Sequence, residues 1–189
     1  LLRVADAQGR WMLPAEFLPF AEESGLIVPL NEWALREACR QLREWIDRGL
    51  PEISVAVNVA RRLFGRAGFS QRVTEILRSA GGRVHVHCHG SIAAVLDGFA
   101  ELGADVIHPF EAPPLGDVTP RQAKDALRGK VALEGNIQIA DMYTASPSRI
   151  RGQVRDLVRD AFDDRTGLIV CATASPYRPG DGGLCRENY

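Results

Sequence analysis

Three of the four histidines in this chain fall on alternate residues of one short segment, RVHVHCHG, which spans residues 83–90. Successive side chains of a β-strand point to opposite faces, so this segment would place His85, His87 and His89 on one face. Residues two apart on a strand lie about 6.5 Å apart at Cα, near enough for two imidazoles to bind one metal ion. The pattern indicates either a metal site on His87 and His89, with His85 structural, or a wall of hydrogen-bonding side chains.

Two polar residues of the segment FEAPPLGD follow the next strand that we predict. A loop after a strand is where barrel enzymes keep their catalytic groups. Glu111 could therefore act as a general acid or base or as a metal ligand, and Asp117 could contact a substrate. The structural alternative is that Asp117 caps a turn that the two adjacent prolines stiffen.

A second polar set lies on the segment EGNIQ, where Glu134, Asn136 and Gln138 share one face of a predicted strand. These side chains could bind a substrate carboxylate, or they could hydrogen-bond to the histidines. A zinc site needs three or four protein ligands, so two histidines require further ones from neighbouring strands. Cys171, Glu111 and Glu134 are the residues that could complete such a site.

The segments that carry these residues alternate with segments of helical periodicity. We predict helices over residues 14–24, 31–50, 69–80, 91–102, 119–129 and 146–162, and strands over 1–4, 53–60, 83–90, 104–111, 131–138 and 167–175. Strands that alternate with helices indicate βα units and a parallel sheet. Because the polar residues gather at the carboxyl ends of the strands, we expect an α/β fold of the (β/α) barrel type. With about six parallel strands, that barrel would be incomplete.

Composition narrows the class of protein. The formal net charge is -1 and the four cysteines form no CxxC pair. The charge does not favour binding to nucleic acid or to an anionic membrane, and scattered cysteines are typical of reduced thiols in a cytoplasmic protein. No apolar run approaches the roughly 18 residues of a membrane-spanning helix. The chain opens on Leu1 within a predicted strand, so we expect it to be a fragment.

The first 80 residues resemble the EAL family of cyclic-di-GMP phosphodiesterases in LLRV, in GRWMLPAEFLPFAEESGLIVPLNEWALREACRQLREW and in SVAVNVARRLF. The resemblance implies a barrel in which the glutamate of E-A-L and an asparagine bind divalent metals, while an arginine contacts the dinucleotide. Asn58 matches that asparagine and Arg3 matches that arginine, whereas the glutamate would precede Leu1. Two-metal hydrolysis needs several carboxylate ligands, so we expect no phosphodiesterase activity.

From about residue 81 to Tyr189 the sequence resembles the carboxy-terminal half of the uroporphyrinogen decarboxylase family, through VHVHCHG, LGADVIHPFEAPPLGDVT, VALEGNIQ and TASPY. That superfamily includes cofactor-free decarboxylases and zinc-dependent corrinoid methyltransferases. In the methyltransferases the zinc ligands run His-x-Cys on this strand, with a further cysteine near the last strand. His87 matches that histidine and His89 stands where the cysteine would be, while the last cysteine aligns closer to Ser175 than to Cys171.

The chain is therefore interpreted as two barrel fragments, residues 1–80 of EAL type and residues 81–189 of uroporphyrinogen decarboxylase type. We expect decarboxylase-like architecture with absent or much reduced activity, since the family's amino-terminal catalytic residues do not stand before residue 81. Zinc is the cofactor that the histidines would take. The expected ligand is a small anion, tetrapyrrole-like or otherwise, and open barrel edges favour a homodimer. The alternative is a cyclic-di-GMP-related binding or signalling module.

Overall fold

The structure is a computed structural model that describes residues 2–51, 53–60, 63, 66–177, 180 and 182–189. The chain divides into two compact units, Leu1–Arg83 and Val84–Tyr189. No helix in these described ranges is long and apolar enough to cross a membrane.

The described residues of the amino-terminal unit form a short antiparallel hairpin and three α-helices. Its elements are β1 (Val4–Ala5), β2 (Trp11–Met12), α1 (Pro14–Glu23), α2 (Ile27–Asp47) and α3 (Phe69–Ser79). Helix α1 begins as expected, with Pro14 at a position whose missing N–H costs no hydrogen bond. The Glu16 carboxylate accepts a hydrogen bond from the Leu13 N–H at 2.6 Å and closes the first turn.

Helix α2 begins four residues before the predicted start at Asn31. Asn31 does not cap the helix but is buried within it, where its Nδ2 donates to the Ile27 carbonyl oxygen at 2.9 Å. Its Oδ1 accepts from the N–H of Ala60 at 3.3 Å. A helix start at Asn31, where its amide would be the N-cap, is therefore a wrong prediction, because this amide serves a contact between segments that are distant in sequence.

The predicted strand over residues 53–60 is also absent: these residues have no regular secondary structure. Ile53 and Val55, which should have faced a core, are 43% and 40% exposed. Alternating apolar residues form a strand only where a neighbouring strand pairs with their N–H and C=O groups. Among the described residues of this unit, the one ladder is that between β1 and β2.

The carboxy-terminal unit is a four-stranded parallel sheet with helices between the strands. Its elements are β3 (His85–His87), a 3-10 turn (Ala93–Val95), α4 (Leu96–Glu101), β4 (Val106–His108), α5 (Pro120–Leu127), β5 (Ala132–Ile137), α6 (Ile139–Thr144), α7 (Pro147–Ala161), β6 (Leu168–Ala172) and α8 (Gly183–Asn188). The strands lie in chain order, β3-β4-β5-β6. The α/β fold of incomplete barrel type is thus confirmed. Four of the six described strands are parallel, whereas β1 and β2 are antiparallel.

The two faces of this sheet differ in character. Ile107 and Leu133 are each 1% exposed on the face that packs against helices, where β5 contacts α5 and α7. His108 and Glu134, the next residue on each strand, point to the opposite face and are partly exposed. We call this second side the histidine face. It is the surface on which the polar residues of β3, β4, β5 and β6 meet.

Local sequence explains where helices α5 and α7 begin. Thr119 precedes Pro120 and exchanges hydrogen bonds with Gln122, which caps α5, and Ser146 precedes Pro147 and caps α7. Both starts match the sequence prediction.

Two helices of the carboxy-terminal unit were not predicted, α6 and α8. The side chain of Asn188 in α8 donates to the carbonyl oxygens of Met142 and Ala145, both at 3.0 Å, and so joins α8 to the end of α6. Cys185, although it lies only four residues before Tyr189, is 2% exposed within α8. These contacts form between segments more than 40 residues apart, which explains why sequence periodicity did not reveal them.

Candidate functional site

His85 and His89 lie on the same side of β3 and each contacts a glutamate from a neighbouring strand. His85 Nε2 lies 3.3 Å from Glu134 Oε2, and His89 Nδ1 lies 3.3 Å from Glu111 Oε2. The side chains of both histidines are 48% exposed. The expected alternation along RVHVHCHG is therefore present.

His87 faces the fourth histidine of the chain, His108 on β4. The two residues are register partners, and their Nδ1 atoms are 2.9 Å apart. His108 Nε2 lies 3.0 Å from the carbonyl oxygen of Ala172. A carbonyl oxygen can only accept, so His108 Nε2 carries a proton. With both rings neutral, His108 Nδ1 is then an acceptor and His87 Nδ1 is the donor.

This histidine pair has an electrostatic consequence for His87. Burial lowers the pKa of the His87 imidazole, and the neighbouring His108, His89 and His85 lower it further. A lower pKa keeps His87 neutral over a wider range of pH. Neutral imidazole is the form that binds a transition metal.

A group of potential metal ligands comes from the next three strands: His108 on β4, Glu134 on β5 and Cys171 on β6. One ligand atom from each of these side chains lies within 4.8 Å of the other two. Cys171 Sγ donates to Glu134 Oε1 at 3.7 Å. Burial and the adjacent Glu134 carboxylate raise the pKa of the Cys171 thiol to about 11, so the thiol is protonated at neutral pH. In the described part of the chain, this is the one such group of three.

The predicted ligand set and the observed cluster overlap only in part. Cys171 and Glu134 lie in the cluster, as the sequence allowed. His87 contacts the cluster through His108, and His89 is paired with Glu111 instead. His108 was not among the predicted ligands. The sequence does show a histidine at the end of the predicted strand segment ADVIH. Only the register of β3 against β4 shows that this histidine stands beside His87.

Glu111, expected as an acid, base or ligand, is 5% exposed. Its Oε2 accepts a hydrogen bond from the backbone N–H of Gly90 at 2.9 Å, beside the contact with His89. Gly116, in the same loop, packs directly against the Glu111 backbone. Only glycine fits there, because a Cβ at position 116 would lie 2.1 Å from the Glu111 carbonyl oxygen. Glu111 therefore fastens the loop after β4 to the end of β3.

Asp117 acts as a cap in the structure, but for a different turn from the one expected. Its Oδ1 accepts from the N–H groups of Ile92 and Ala93 at 2.8 and 3.0 Å. The carboxylate thus begins the 3-10 turn that follows β3. The side chain itself is exposed, so contact with a substrate remains a prediction.

Asn136 and Gln138 join β5 to the strands on either side of it. Asn136 Nδ2 donates to the Phe110 carbonyl oxygen at 2.6 Å, and Thr173 Oγ1 donates to Gln138 Oε1 at 3.3 Å. The Oδ1 atom of Asn136 is buried and has no hydrogen-bond partner among the described residues. Substrate binding by Asn136 or Gln138 stays a prediction.

The two residues singled out by the EAL resemblance belong to the amino-terminal unit. Arg3 is exposed, and its Nη1 donates to the Leu2 carbonyl oxygen at 3.0 Å. Asn58 is exposed in a segment without regular structure instead of standing on a strand.

The fold and the cluster describe a barrel-type α/β protein with a histidine-rich face, and comparison with known families agrees. The uroporphyrinogen decarboxylase (URO-D) family matches residues 67–173, and the EAL domain family matches residues 1–86. The chain belongs to the uroporphyrinogen decarboxylase family, and its amino-terminal part resembles EAL domains. The two matches overlap over residues 67–86, so the division at residues 80 and 81 remains a prediction.

The curated relatives share the EAL resemblance. The bifunctional diguanylate cyclase/cyclic di-GMP phosphodiesterase MucR of Pseudomonas aeruginosa is 44% identical over 77 residues, which are 41% of this chain and 11% of MucR. The signaling protein YkoW of Bacillus subtilis is 42% identical over 64 residues, which are 34% of this chain and 8% of YkoW. The matched part of the chain thus spans about a tenth of the length of these relatives.

Solved structures of EAL proteins share the fold of this chain. The structure titled PaMucR phosphodiesterase, c-di-GMP complex, is 23% identical with a TM-score of 0.58, and the match covers 100% of this chain and 77% of that one. The cGMP-bound form of the EAL enzyme Bd1971 is 15% identical with a TM-score of 0.54, covering 100% of this chain and 53% of that one. At these identities the likeness shows the fold alone.

Proposed function

We propose that the unit Val84–Tyr189 is a metal-dependent ligand-binding unit of the uroporphyrinogen decarboxylase type, and that the metal is zinc. The observation that supports this proposal is the convergence of imidazole, carboxylate and thiol groups on one face of the parallel sheet. Imidazole and thiolate are ligands that select zinc over magnesium or calcium. Of the predicted ligands, Cys171 and Glu134 belong to this cluster, and His87 contacts it through His108.

The bound molecule in this proposal is a small anion, such as a carboxylate of a tetrapyrrole. The histidine face is partly exposed, so an anion could reach a metal held there and complete its coordination. A zinc ion attracts and polarises an oxygen or sulfur ligand, as it does in methyltransferase-type and hydrolytic sites.

We further propose that the chain carries neither decarboxylase nor phosphodiesterase activity. Glu111, the carboxylate expected to catalyse, is buried and already accepts from Gly90 N–H and contacts His89. Asp117 is occupied in the same way by Ile92 and Ala93. The oxygens of both carboxylates are thus engaged in contacts that hold loops in place, which supports a structural role for them.

The test is metal binding and turnover by the whole chain. Protein stripped with a chelator and then incubated with excess zinc should retain one zinc per chain after dialysis, as measured by elemental analysis. Formation of coproporphyrinogen from uroporphyrinogen and hydrolysis of cyclic-di-GMP should both stay at background. A chain that binds no zinc, or that forms coproporphyrinogen above background, would contradict the proposal.

A second candidate function is binding of cyclic-di-GMP without hydrolysis. It is favoured by the 44% identity to a protein named as a cyclic di-GMP phosphodiesterase. Calorimetric titration should then show affinity for cyclic-di-GMP that falls in Arg3→Ala, while Arg10→Ala serves as a control for charge. Equal affinity in both variants, or none in the unaltered chain, would rule this function out.

A further inference from the structure

We infer that residues 53–60 pair with the same residues of a second copy of this chain, as a two-stranded antiparallel β-ladder centred on Ala56. This inference goes beyond the proposed function, because it involves neither the histidine face nor a metal. The surface belongs to the amino-terminal unit and is not an edge of the parallel sheet. The observation behind it is that a strand-like sequence has no strand beside it.

The first argument is that the backbone of this segment lacks hydrogen-bond partners. Among the described residues, no backbone hydrogen bond involves residues 53–59. The segment is held at its two ends instead. The Leu50 N–H donates to the Trp45 carbonyl oxygen at 3.0 Å, and the Ala60 N–H donates to Asn31 Oδ1 at 3.3 Å. An exposed row of unpaired N–H and C=O groups is a template for pairing with another chain.

The second argument is the composition of the segment, which reads ISVAVNVA. It carries β-branched apolar residues at four alternate positions and contains no proline, glycine or charged residue. Segments of this kind have high β-propensity and pair readily when they are exposed. Ile53 and Val55 are 43% and 40% exposed, so apolar surface is available for burial.

The third argument is that the alternation is complementary to itself in one register. Two copies can pair antiparallel with Ala56 opposite Ala56. Ile53 of one copy then stands opposite Val59 of the other, and Val55 likewise stands opposite the second copy's residue 57, also a valine. All four β-branched residues share one face and form cross-strand pairs of the type that stabilise sheets. An interface related by two-fold symmetry must match itself in this way.

The residues that flank the segment favour the antiparallel direction. Glu52 precedes the segment in sequence, and Arg61 and Arg62 follow it. An antiparallel pair brings the acidic end of each copy to the basic end of the other, whereas a parallel pair would bring like charges together. This charge complementarity at both ends favours a second copy of the chain as the partner.

The test introduces single cysteines into the full chain, in which Cys88→Ser removes the exposed native thiol. Ala56→Cys lies on the two-fold axis, so its two thiols should face each other across opposed Cβ atoms about 4.5–5.5 Å apart. Mild oxidation should then give a covalent dimer in non-reducing electrophoresis. The Cys88→Ser chain without an added cysteine should give none.

Ser54→Cys is the matched control. Its two copies would lie four residues apart along the ladder, about 14 Å, which is beyond the reach of a disulfide. Ser54 stands opposite Asn58 in the proposed register, so a mixture of Ser54→Cys and Asn58→Cys chains should form a covalent dimer although neither forms one alone. Crosslinking of Ser54→Cys alone, with none in Ala56→Cys, would overturn the register.

A second measurement uses the unaltered chain and does not depend on folding of the variants. Hydrogen exchange followed by mass spectrometry should show fast exchange of the amides of residues 53–59 in dilute protein. The exchange should slow by at least about tenfold as the protein concentration rises and the ladder forms. Peptides from α2 are the internal reference, and their exchange should not depend on concentration.

The outcomes distinguish the second copy from other partners. A covalent dimer of Ala56→Cys together with concentration-dependent protection would support the inference. Protection at every concentration would mean that the segment pairs within its own chain, and fast exchange at every concentration would mean that it pairs with nothing. Either result would overturn the inference, and neither bears on zinc binding.

Discussion

At the scale of single residues, Glu111 shows how a carboxylate in a catalytic position can be structural instead. It is the glutamate expected to do chemistry, yet it is 5% exposed and spans from the loop after β4 to the backbone of Gly90 and the ring of His89. A buried acceptor that loses its charge or its geometry leaves its donors unpaired. The cost of such a loss is about 1–3 kcal/mol per group.

We therefore predict that Glu111→Gln lowers the free energy of unfolding by about 1–3 kcal/mol, because an amide nitrogen could replace the oxygen that faces Gly90 N–H. Urea denaturation followed by circular dichroism measures the change. Glu101→Gln, at an exposed position of α4, is the control and should change stability by less than about 0.5 kcal/mol. Unchanged stability in Glu111→Gln would return Glu111 to the list of catalytic candidates.

At the scale of elements, α5 is joined to the loop between α7 and β6 by charged side chains. Lys124 is 3% exposed, and its Nζ donates to Asp164 Oδ1 and to the Thr166 carbonyl oxygen, both at 2.7 Å. Arg128 contacts both Asp163 and Asp164. The Lys124 ammonium holds the pKa of the Asp164 carboxyl down at about 2, and Arg128 lowers that of Asp163.

These depressed pKa values predict a dependence of stability on pH. A carboxylate whose pKa is lower in the folded than in the unfolded state stabilises the fold fully above the unfolded value of about 3.9, and this contribution is lost as pH falls. The unaltered chain should therefore be more stable than Asp164→Asn at pH 7, with the difference shrinking between about pH 4 and pH 2.

Thermal unfolding recorded at a series of pH values checks this prediction. The control is Asp160→Asn, since Asp160 contacts only Arg159 among the ion pairs of the described residues. A difference between the unaltered chain and Asp164→Asn that stays constant down to pH 2 would show that the contact with Lys124 does not depend on charge.

Features set by residues that are adjacent in sequence could be predicted, whereas contacts between residues distant in sequence could not. The caps at Thr119 and Ser146 lie next to the helices they begin, and the face shared by His85, His87 and His89 follows from a period of two residues. By contrast, the Asn31 amide binds a residue 29 positions away.

The candidate site likewise contains residues that could be predicted from their own segments and residues that only strand pairing brings together. The histidines of β3 and Cys171 were identified from their own segments. His108 became significant only through the register that sets it against His87. Glu134 was named from the sequence as a residue that could complete a metal site, and its contact with Cys171 on β6 places it in the cluster. Pairing between strands of a parallel sheet depends on crossovers of many residues, and no local pattern specifies it.

At the scale of the whole molecule, the parallel sheet ends in a strand with an unpaired edge. Within the described residues β6 pairs with β5 alone, and its Ile169 and Val170 are 48% and 42% exposed. An exposed apolar edge strand is a template for pairing with another chain. The homodimer expected through open barrel edges stays a prediction, and the β6 edge is the surface through which it would form.

We predict that sedimentation velocity will show self-association that increases with protein concentration, and that Val170→Lys will reduce it by placing a charge on the edge. Val158→Lys, at a position on α7 that is 37% exposed, is the control for added charge away from the edge. A single monomeric species for the unaltered chain across the concentration range would contradict this prediction.

The proposed function centres on a zinc ion held on the histidine face of the carboxy-terminal unit, where His108, Glu134 and Cys171 converge. X-ray absorption at the zinc edge, recorded on the zinc-loaded full chain, tests it most directly. We predict one sulfur scatterer at about 2.3 Å and nitrogen or oxygen scatterers at about 2.0–2.1 Å, with the outer-shell pattern of imidazole. A spectrum without sulfur, or with oxygen ligands alone, would contradict a zinc site that includes His108, Glu134 and Cys171.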